Sequence, residues 1–525
     1  MRTPFNPWAQ LLDIIFGRIN PKPHAEEDSS LPSRSGEEIV ASHQENIVGQ
    51  VNAGDGNIQL QLNNSNAGDI VITTTGSGVA QKPRLKPIPI NGCIDHFPNL
   101  LNRTEVIKTT ITTLKSGQSM EVNGRPGMGK TVFLRYLTNH AFDDFTKVFP
   151  HGVIHHSIRP HQKDLLKEIF DKLYDDPRPP SERNLRTDSK IGNYLKEIKA
   201  LIALDDAEHA QDQVDLLKGA AKNCTFLLAS TKPLLRGEAP FSNLDVLPLN
   251  AAVTLVEREV NRNLSRHNTP LSTEERSAAE DICYTLGGHP LLIIQVMSLA
   301  QKEGLSLMEI ARQMPEVFDE EMLVARILRR LSSAEIKILA VLAVLKEAST
   351  DEELLAEVTE EPEASTLLKR LKQRGLVKSN SPRYSLAAPF VGQALAQTMD
   401  LTAIADQTLA YFTTWAREQR SAPDRVLEEA DAIMQLIEWG LQAKRWLAVL
   451  RLVRAVEGAL ALGLRWGAWE QVLQWGLQAA RALGDQVGIA WALHQLGTRA
   501  LCLGVESTAK LFLRQALRLR EALGD

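Results

Sequence analysis

The octapeptide Gly124-Arg125-Pro126-Gly127-Met128-Gly129-Lys130-Thr131 brings together the residue types that hold a polyphosphate. Glycines let backbone N–H groups wrap the phosphates, and a helix starting at the loop's end adds partial positive charge there. Lys130 can reach the β and γ phosphates, and Thr131 offers a hydroxyl to Mg2+. Val132 opens a stretch running to His140 that reads as the required helix. Farther on, four apolar residues, Leu201-Ile202-Ala203-Leu204, deliver Asp205-Asp206. An acid at the end of a buried strand completes such a site: Asp205 would hold Mg2+, directly or through water, and Asp206 would orient or deprotonate an attacking water. Glu208 is a weaker alternative base. The next apolar run, 225–229, ends in Ser230-Thr231-Lys232, which either senses the third phosphate or is a solvated strand end. The chemistry so implied is binding of a nucleoside polyphosphate with Mg2+ and attack of water on its third phosphate.

These groups converge only if parallel strands carry them to one edge. From about residue 86, short apolar strands alternate with helices, the pattern of a parallel sheet covered on both faces. The runs 119–123, 153–157, 201–204, 225–229 and 245–249 read as its strands, giving an α/β nucleotide-binding module of about five strands over 86–250. After residue 250 helical periodicity takes over: an all-α lid over 251–331, a small mixed segment over 332–397, and helices over 398–525.

The last segment repeats. Glu438-Trp439-Gly440-Leu441-Gln442-Ala443-Lys444-Arg445 returns as Gln474-Trp475-Gly476-Leu477-Gln478-Ala479-Ala480-Arg481, and Ala482-Leu483-Gly484-Asp485 as Ala522-Leu523-Gly524-Asp525. The second spacing is close to the period of helix-pair solenoids, and Gly476, Ala479 and Ala516 allow close helix packing. The Leu-Gly-Asp triplet would close each second helix. This resembles a tetratricopeptide-repeat array, an α-solenoid, and its final residues fall at a repeat boundary without a polar capping helix, which points to an atypical terminus or a longer parent protein.

Before the module, Trp8, Leu11, Leu12, Ile15, Phe16 and Ile19 make an amphipathic helix over 1–20, docked on the body or offered to a membrane surface or partner. Residues 21–45 read as a linker. Over 46–80, Asn52-Ala53-Gly54-Asp55 recurs as Asn66-Ala67-Gly68-Asp69, each copy followed by a strand-like stretch. A low-charge, β-prone segment of this kind suits a small hairpin or tether, or stacked cross-β layers. The second form resembles the amyloid-type signalling motifs of some bacterial and fungal receptors, and would recruit an effector bearing a matching motif.

The 525 residues include 59 Lys+Arg and 64 Asp+Glu, a net charge of -5, which argues against a chain built mainly to coat nucleic acid. The longest apolar run, 338–345, is far short of the roughly 20 residues a membrane helix needs. Cys93, Cys224, Cys283 and Cys502 lack metal-type spacing, and two sit in apolar segments, as expected of reduced thiols in a cytoplasmic protein.

The order of phosphate loop, Leu-Asp-Asp strand, Ser-Thr-Lys strand end and Leu286-Gly287-Gly288-His289-Pro290-Leu291 resembles the NB-ARC type of signal-transducing (STAND) NTPases. These include plant resistance proteins, apoptosome-forming adaptors and many bacterial regulators. The resemblance covers about residues 95–400. It implies that Leu101-Asn102-Arg103-Thr104-Glu105 matches the family's Gly-Arg-Glu segment, with Arg103 near the adenine and ribose, and that Pro290 packs on adenine. Asn102 stands where the family has Gly, and Lys232 where many members carry an Arg that reads the γ phosphate. By the same resemblance the mixed segment is a winged-helix domain. Its helices are 332–345, 350–358 and 363–374, its wing is 376–379 and 383–386, and Ala388 sits where members often place a His against ADP. Lys369, Arg370, Lys372 and Arg374 make its third helix basic, either a plain charged face or a DNA-reading surface, and the resemblance implies that the domain packs on the nucleotide module rather than on DNA.

The function so implied is a slow, regulatory ATPase switch. A protein or small-molecule trigger binds the repeats, ATP replaces ADP, and the chain forms a homo-oligomer in signalling, defence or regulated cell death. A transcription regulator working through the winged helix or a DNA-binding partner is the first alternative, a passive repeat scaffold the second.

Overall fold

The computed structural model describes residues 48–53, 56–62, 70–74, 82–87, 100–140, 142–159, 161–176, 188–234, 240–263, 269–314, 320–380 and 382–525. The expected helix at 1–20 and linker at 21–45 lie outside them, as does Cys93. The chain forms two compact units, 1–82 and 83–525.

In the first unit β1 (Val48–Ala53), β2 (Gly56–Leu62) and β3 (Ile70–Thr74) form an antiparallel three-stranded sheet in the order β1-β2-β3. Asn52 and Ala53 of the short repeat are the last residues of β1, and the other turn residues of the two copies lie outside the described residues. Register pairs Val51 with Ile58 and Leu60 with Ile72. Both strand-like stretches of the low-charge segment are therefore strands, paired within one chain.

The second unit opens with β4 (Arg84–Leu85), α1 (Thr104–Lys115), β5 (Met120–Asn123), α2 (Lys130–His140) and α3 (Phe142–Val148). It continues through β6 (Val153–Ser157), α4 (Leu165–Leu173), β7 (Tyr174–Asp175), α5 (Asp188–Leu195), β8 (Leu201–Asp205), α6 (Gln211–Ala220), β9 (Thr225–Ser230) and β10 (Phe241–Asn243). The order β10-β5-β9-β8-β6 is parallel throughout. Every residue of β5, β8 and β9 is buried, which explains the apolar runs of β8 and β9, while β5 also buries Glu121 and Asn123. One face packs Phe133, Leu134, Leu137, Phe145 and Phe149 against β5 and β9, and the other packs α4 and α6 through Leu165, Ile169, Phe170, Val214 and Leu217.

The expected edge strand at 245–249 requires correction. The edge strand is β10, ending at Asn243, and 249 already begins a helix. The backbone between is used otherwise: the Leu244 N–H donates to Asn123 O (2.7 Å) and the Leu247 N–H to Gly288 O (2.9 Å), while Asp245 O accepts from Arg103 (2.6 Å). Pro248 has no N–H for a ladder.

The lid helices are α7 (Leu249–Asn263), α8 (Thr273–Thr285), α9 (Pro290–Glu303), α10 (Leu307–Gln313) and α11 (Glu320–Leu328). Next come α12 (Ser333–Leu345), β11 (Thr350–Asp351), α13 (Glu352–Thr359), α14 (Ala364–Gln373), β12 (Val377–Asn380) and β13 (Arg383–Leu386), the three strands forming an antiparallel sheet ordered β11-β13-β12. The helix expected from residue 350 begins two residues late, because Thr350 and Asp351 pair with Tyr384 and Arg383 and the Asp351 carboxylate caps α13. The basic face of α14 is partly consumed: Glu335, 2% exposed, takes Arg374 at 2.7 Å and Arg370 at 3.7 Å.

α15 (Pro389–Thr398) closes the mixed segment, and the array comprises α16 (Thr402–Glu418), α17 (Pro423–Glu428), α18 (Ala430–Gln442), α19 (Trp446–Leu462), α20 (Trp466–Leu483), α21 (Gln486–Cys502) and α22 (Glu506–Leu523). Gly476 is required by closeness, since a Cβ there would lie 2.8 Å from Val453. Gly484 and Gly524 end α20 and α22 in the left-handed conformation, as expected of the Leu-Gly-Asp triplet, and Asp485 then caps α21. Cys224 and Cys283 are buried free thiols, and Cys502 is an exposed one.

Candidate functional site

Parallel register brings Asn123, Asp205 and Ser230 to the carboxyl edge of the sheet, where open α/β sheets bind ligands. The loop after β5 reaches α2 through Gly127 and Gly129, both at positive φ (81° and 89°). A Cβ on Gly127 would strike His289 at 2.5 Å, whereas one on Gly129 meets nothing within 4 Å. Gly127 therefore serves packing against the lid, and Gly129 serves the loop's own conformation.

Lys130 is 7% exposed and folds back on the loop, donating from Nζ to Gly124 O (2.8 Å) and Arg125 O (3.4 Å). Burial lowers its pKa, opposed by the charges of Asp206, Glu208 and Asp205. Arg125 and Pro126 are exposed, Met128 is buried, and Thr131 and Val132 are half-buried. Asp205 is 1% exposed and pushed up to about 6 by burial and by the charge of Asp206, against a hydrogen bond from Thr131. A buried carboxylate so raised, joined to a hydroxyl and facing a buried ammonium, fits a divalent cation and a polyphosphate, whose charges would complete the set. Thr131 and Asp205 would hold the cation, which would supply charge neutralisation at the phosphates.

Asp206 adopts the left-handed conformation (φ 53°), uncommon outside Gly, Asn and Asp, and its carboxylate lies 3.7 Å from the ammonium of Lys378 on β12. Lys378 gave no signal in the sequence, being one cation on a short wing strand. Glu208, the alternative base, is engaged: Oε1 accepts the Thr231 N–H at 2.9 Å. Ser230 is fully buried with its Oγ within 2.7 Å of Asn123 Oδ1 and 2.9 Å of Glu121 Oε1, while Thr231 and Lys232 are exposed at the strand end. Asn123 and Glu121 are the site neighbours that motif reading missed; their signal was polar residues inside an apolar strand.

Arg103 is 8% exposed and tied by its guanidinium to Asp245 O, so it anchors the β10–α7 connection to the start of α1. Asn102, before it, takes φ 51°, a conformation that Asn tolerates nearly as Gly does. Pro290 is the first residue of α9, and His289 caps that helix. Because His289 Nδ1 accepts from the Leu292 N–H, Nε2 carries the proton and donates it to Pro126 O at 3.1 Å. The lid is thereby tied to the phosphate loop. Ala388 is buried and immediately precedes α15, and its methyl group has no polar atom to offer a phosphate.

His209, one turn past the acids, meets Glu347 at 3.0 Å. The hydrogen bond to Glu347 raises the imidazole from 6.5 and lowers the carboxylate from 4.5. The tie therefore stabilises fully between those ordinary values, fades as pH falls through the lowered glutamate value, and fades as it rises through the raised histidine value. Both groups are partly solvated, so the expected effect is below about 1 kcal/mol. Melting of the wild type and Glu347→Gln should differ most in that window and converge at alkaline pH; a constant difference would mean that the pair is not ionised.

The NB-ARC domain model matches residues 102–229, from Asn102 to Ala229 on β9. No curated protein matches the chain. Among solved structures, a Signal Transduction ATPase with Numerous Domains (STAND) protein with a tetratricopeptide repeat sensor from Pyrococcus horikoshii is 14% identical. Its TM-score is 0.46, and the alignment covers 82% of this chain and 66% of that one, just under two thirds of its length. A Walker-type ATPase of Pyrococcus abyssi is 16% identical over 57% of this chain and 96% of its own, with a TM-score of 0.29. Drosophila ORC bound to DNA is 12% identical over 74% and 100%, with a TM-score of 0.27. Among the described residues no helix is long and apolar enough to cross a membrane. This chain carries an NB-ARC domain, at residues 102–229, ahead of a run of paired helices.

Proposed function

We propose that the protein is an ATP-dependent signal-transduction switch with slow hydrolysis, in which the helical array senses a trigger and restrains the nucleotide module. The observation that carries this reading is the seam between the array and the loop after β6. Arg159 pairs with Asp431, Arg465 with Glu168 at 3.0 Å, and the Asp164 carboxylate accepts the N–H groups of Gly467 (2.8 Å) and Ala468 (3.0 Å) at the start of α20. A passive scaffold has no need to dock its array beside the sheet edge that carries the acids. ATP or ADP would lie on the loop 124–131 with Lys130 on the phosphates, Thr131 and Asp205 on Mg2+, and Asp206 on the water. Arg103 and Pro290 would flank the base, and Lys232 would face the third phosphate.

Trigger binding would release the seam, exchange ADP for ATP and permit homo-oligomerisation, in defence or regulated cell death. The rival reading as a transcription regulator is weakened by Arg374, which is largely buried and bonded to Glu335 at 2.7 Å, with Arg370 drawn to the same carboxylate at 3.7 Å. Sedimentation of the purified chain with ATP, ADP or no nucleotide, with identification of the copurifying nucleotide, tests the switch. One size under all three conditions would refute it.

The strands β1–β3 would serve assembly in the active state. In the double variant Ile58→Pro with Ile70→Pro the first substitution carries the effect, because Ile58 lies in the central strand β2, where proline is not tolerated, whereas Ile70 opens the edge strand β3. The expected result is lost assembly with ATP binding intact. Normal assembly by the double variant would reduce the segment to a tether.

A further inference from the structure

The wing ribbon of β12 and β13 touches both ends of the proposed signalling path. On β12, the Lys378 ammonium lies 3.7 Å from Asp206 and adds its charge to the surroundings of Asp205 and Lys130. On β13, Arg383 forms an ion pair with Glu429, whose side chain is 3% exposed and which also accepts from Thr350 Oγ1 at 2.8 Å. Glu429 immediately precedes α18. The two strands are locked together by antiparallel pairing of Lys378 with Ser385 and Asn380 with Arg383. A two-stranded ribbon so paired moves as one piece, so the position of Glu429 fixes the position of Lys378.

The two grips differ in strength, and the difference suits a lever. The Arg383–Glu429 pair is largely desolvated on the glutamate side and carries a second hydrogen bond, so breaking it leaves a buried charge. Lys378 is 47% exposed and Asp206 28%, so their contact is a solvated ion pair that yields at little cost. Displacement of the array would carry the ribbon with it and break the contact at Asp206 first.

We infer that Lys378 is a positioning residue that masks Asp206, and that Arg383 and Glu429 transmit the position of the helical array to it. The inference rests on the reading of Asp206 as the acid facing the attacking water, and it adds that hydrolysis itself, not nucleotide exchange alone, is gated. While Lys378 holds Asp206, the ammonium competes with an attacking water for the carboxylate; once it is withdrawn, Asp206 is free to orient that water. The ammonium also opposes a divalent cation at Asp205 by like charge.

The test uses the full chain with a fluorescent, non-hydrolysable ATP analogue, measuring analogue affinity, the Mg2+ concentration for half-maximal binding, and ATP turnover. Lys378→Met should raise turnover and lower the Mg2+ requirement by roughly two- to fivefold, the scale of a solvated ion pair. Lys378→Arg should restore wild-type values. Glu429→Gln, which keeps a hydrogen bond to Arg383 without the charge, should move both quantities the same way, and combined with Lys378→Met it should add nothing further. An unchanged Mg2+ requirement and turnover in Lys378→Met would overturn the mask, and weaker analogue binding would overturn it in favour of a phosphate contact. Additive effects of the two substitutions would overturn the lever. Lys130→Ala separates the underlying reading: if it binds the analogue as wild type does, the nucleotide site is misplaced, whatever Lys378 does.

Discussion

Lys130→Ala should bind ATP about ten- to hundredfold more weakly than the wild type, the loss of one charge-assisted hydrogen bond of roughly 1.5–3 kcal/mol. Asp206→Asn should bind normally and turn over slowly. The two residues sit at different depths and serve different stages. Lys130 is buried at the start of α2 with its ammonium on two loop carbonyls, so it is poised to move onto phosphate oxygens and neutralise ground-state charge. Asp206 is partly exposed, one residue past the buried Asp205, in a left-handed backbone conformation. Its loss would appear in turnover and not in affinity. In a switch this difference has a second consequence: Asp206→Asn should accumulate as the ATP-bound assembly, and Lys130→Ala should stay monomeric. Equilibrium binding of a fluorescent ATP analogue, single-turnover hydrolysis and sedimentation of both variants decide the matter. Equal affinity in Lys130→Ala would remove the phosphate loop from the site, and normal turnover in Asp206→Asn would remove the base.

The parts of the site legible in the sequence were those where one residue type has few physical uses. A glycine-spaced loop ending in Lys-Thr requires a strand before it and a helix after it, and both are present. Four apolar residues delivering two acids mark a buried strand end, and β8 ends at Asp205. The edge strand was misjudged because 241–243 pair along three residues only and are partly exposed, while the more apolar 244–249 serve as a connection whose backbone groups are taken by Arg103 and Gly288. Lys378 and Glu429 were illegible for another reason. Each is an ordinary charged residue in its own element, and only the tertiary arrangement gives it a distant partner. Asn102 shows the converse, since its departure from glycine is harmless in a left-handed position that Asn also tolerates.

Arg159→Ala combined with Asp164→Ala should open the seam between the helical array and the nucleotide module without unfolding either. The first substitution removes the partner of Asp431, whose side chain is 12% exposed, and the second uncaps α20 by taking the acceptor from the Gly467 and Ala468 N–H groups. A charge-assisted pair contributes roughly 1.5–3 kcal/mol and a cap about 1 kcal/mol, so together they shift the closed-to-open balance by about two orders of magnitude. The seam suits such a transition because it is polar. It borders a cavity of about 310 Å3 lined by Gln162, Asp424 and Glu428 together with Leu427 and Met434, so water can enter and replace the lost polar contacts. The cores on either side, one around Phe170 and Leu217 and the other around Trp469 and Val453, share none of these side chains and should melt at nearly unchanged temperature. Small-angle scattering of the double variant should show a more extended particle, hydrogen exchange should rise over 159–168 and the first turn of α20, and spontaneous turnover should increase. If the particle stays as compact as the wild type, the array is held elsewhere; if it opens while turnover and assembly stay constant, the array is a binding platform that does not restrain the nucleotide module.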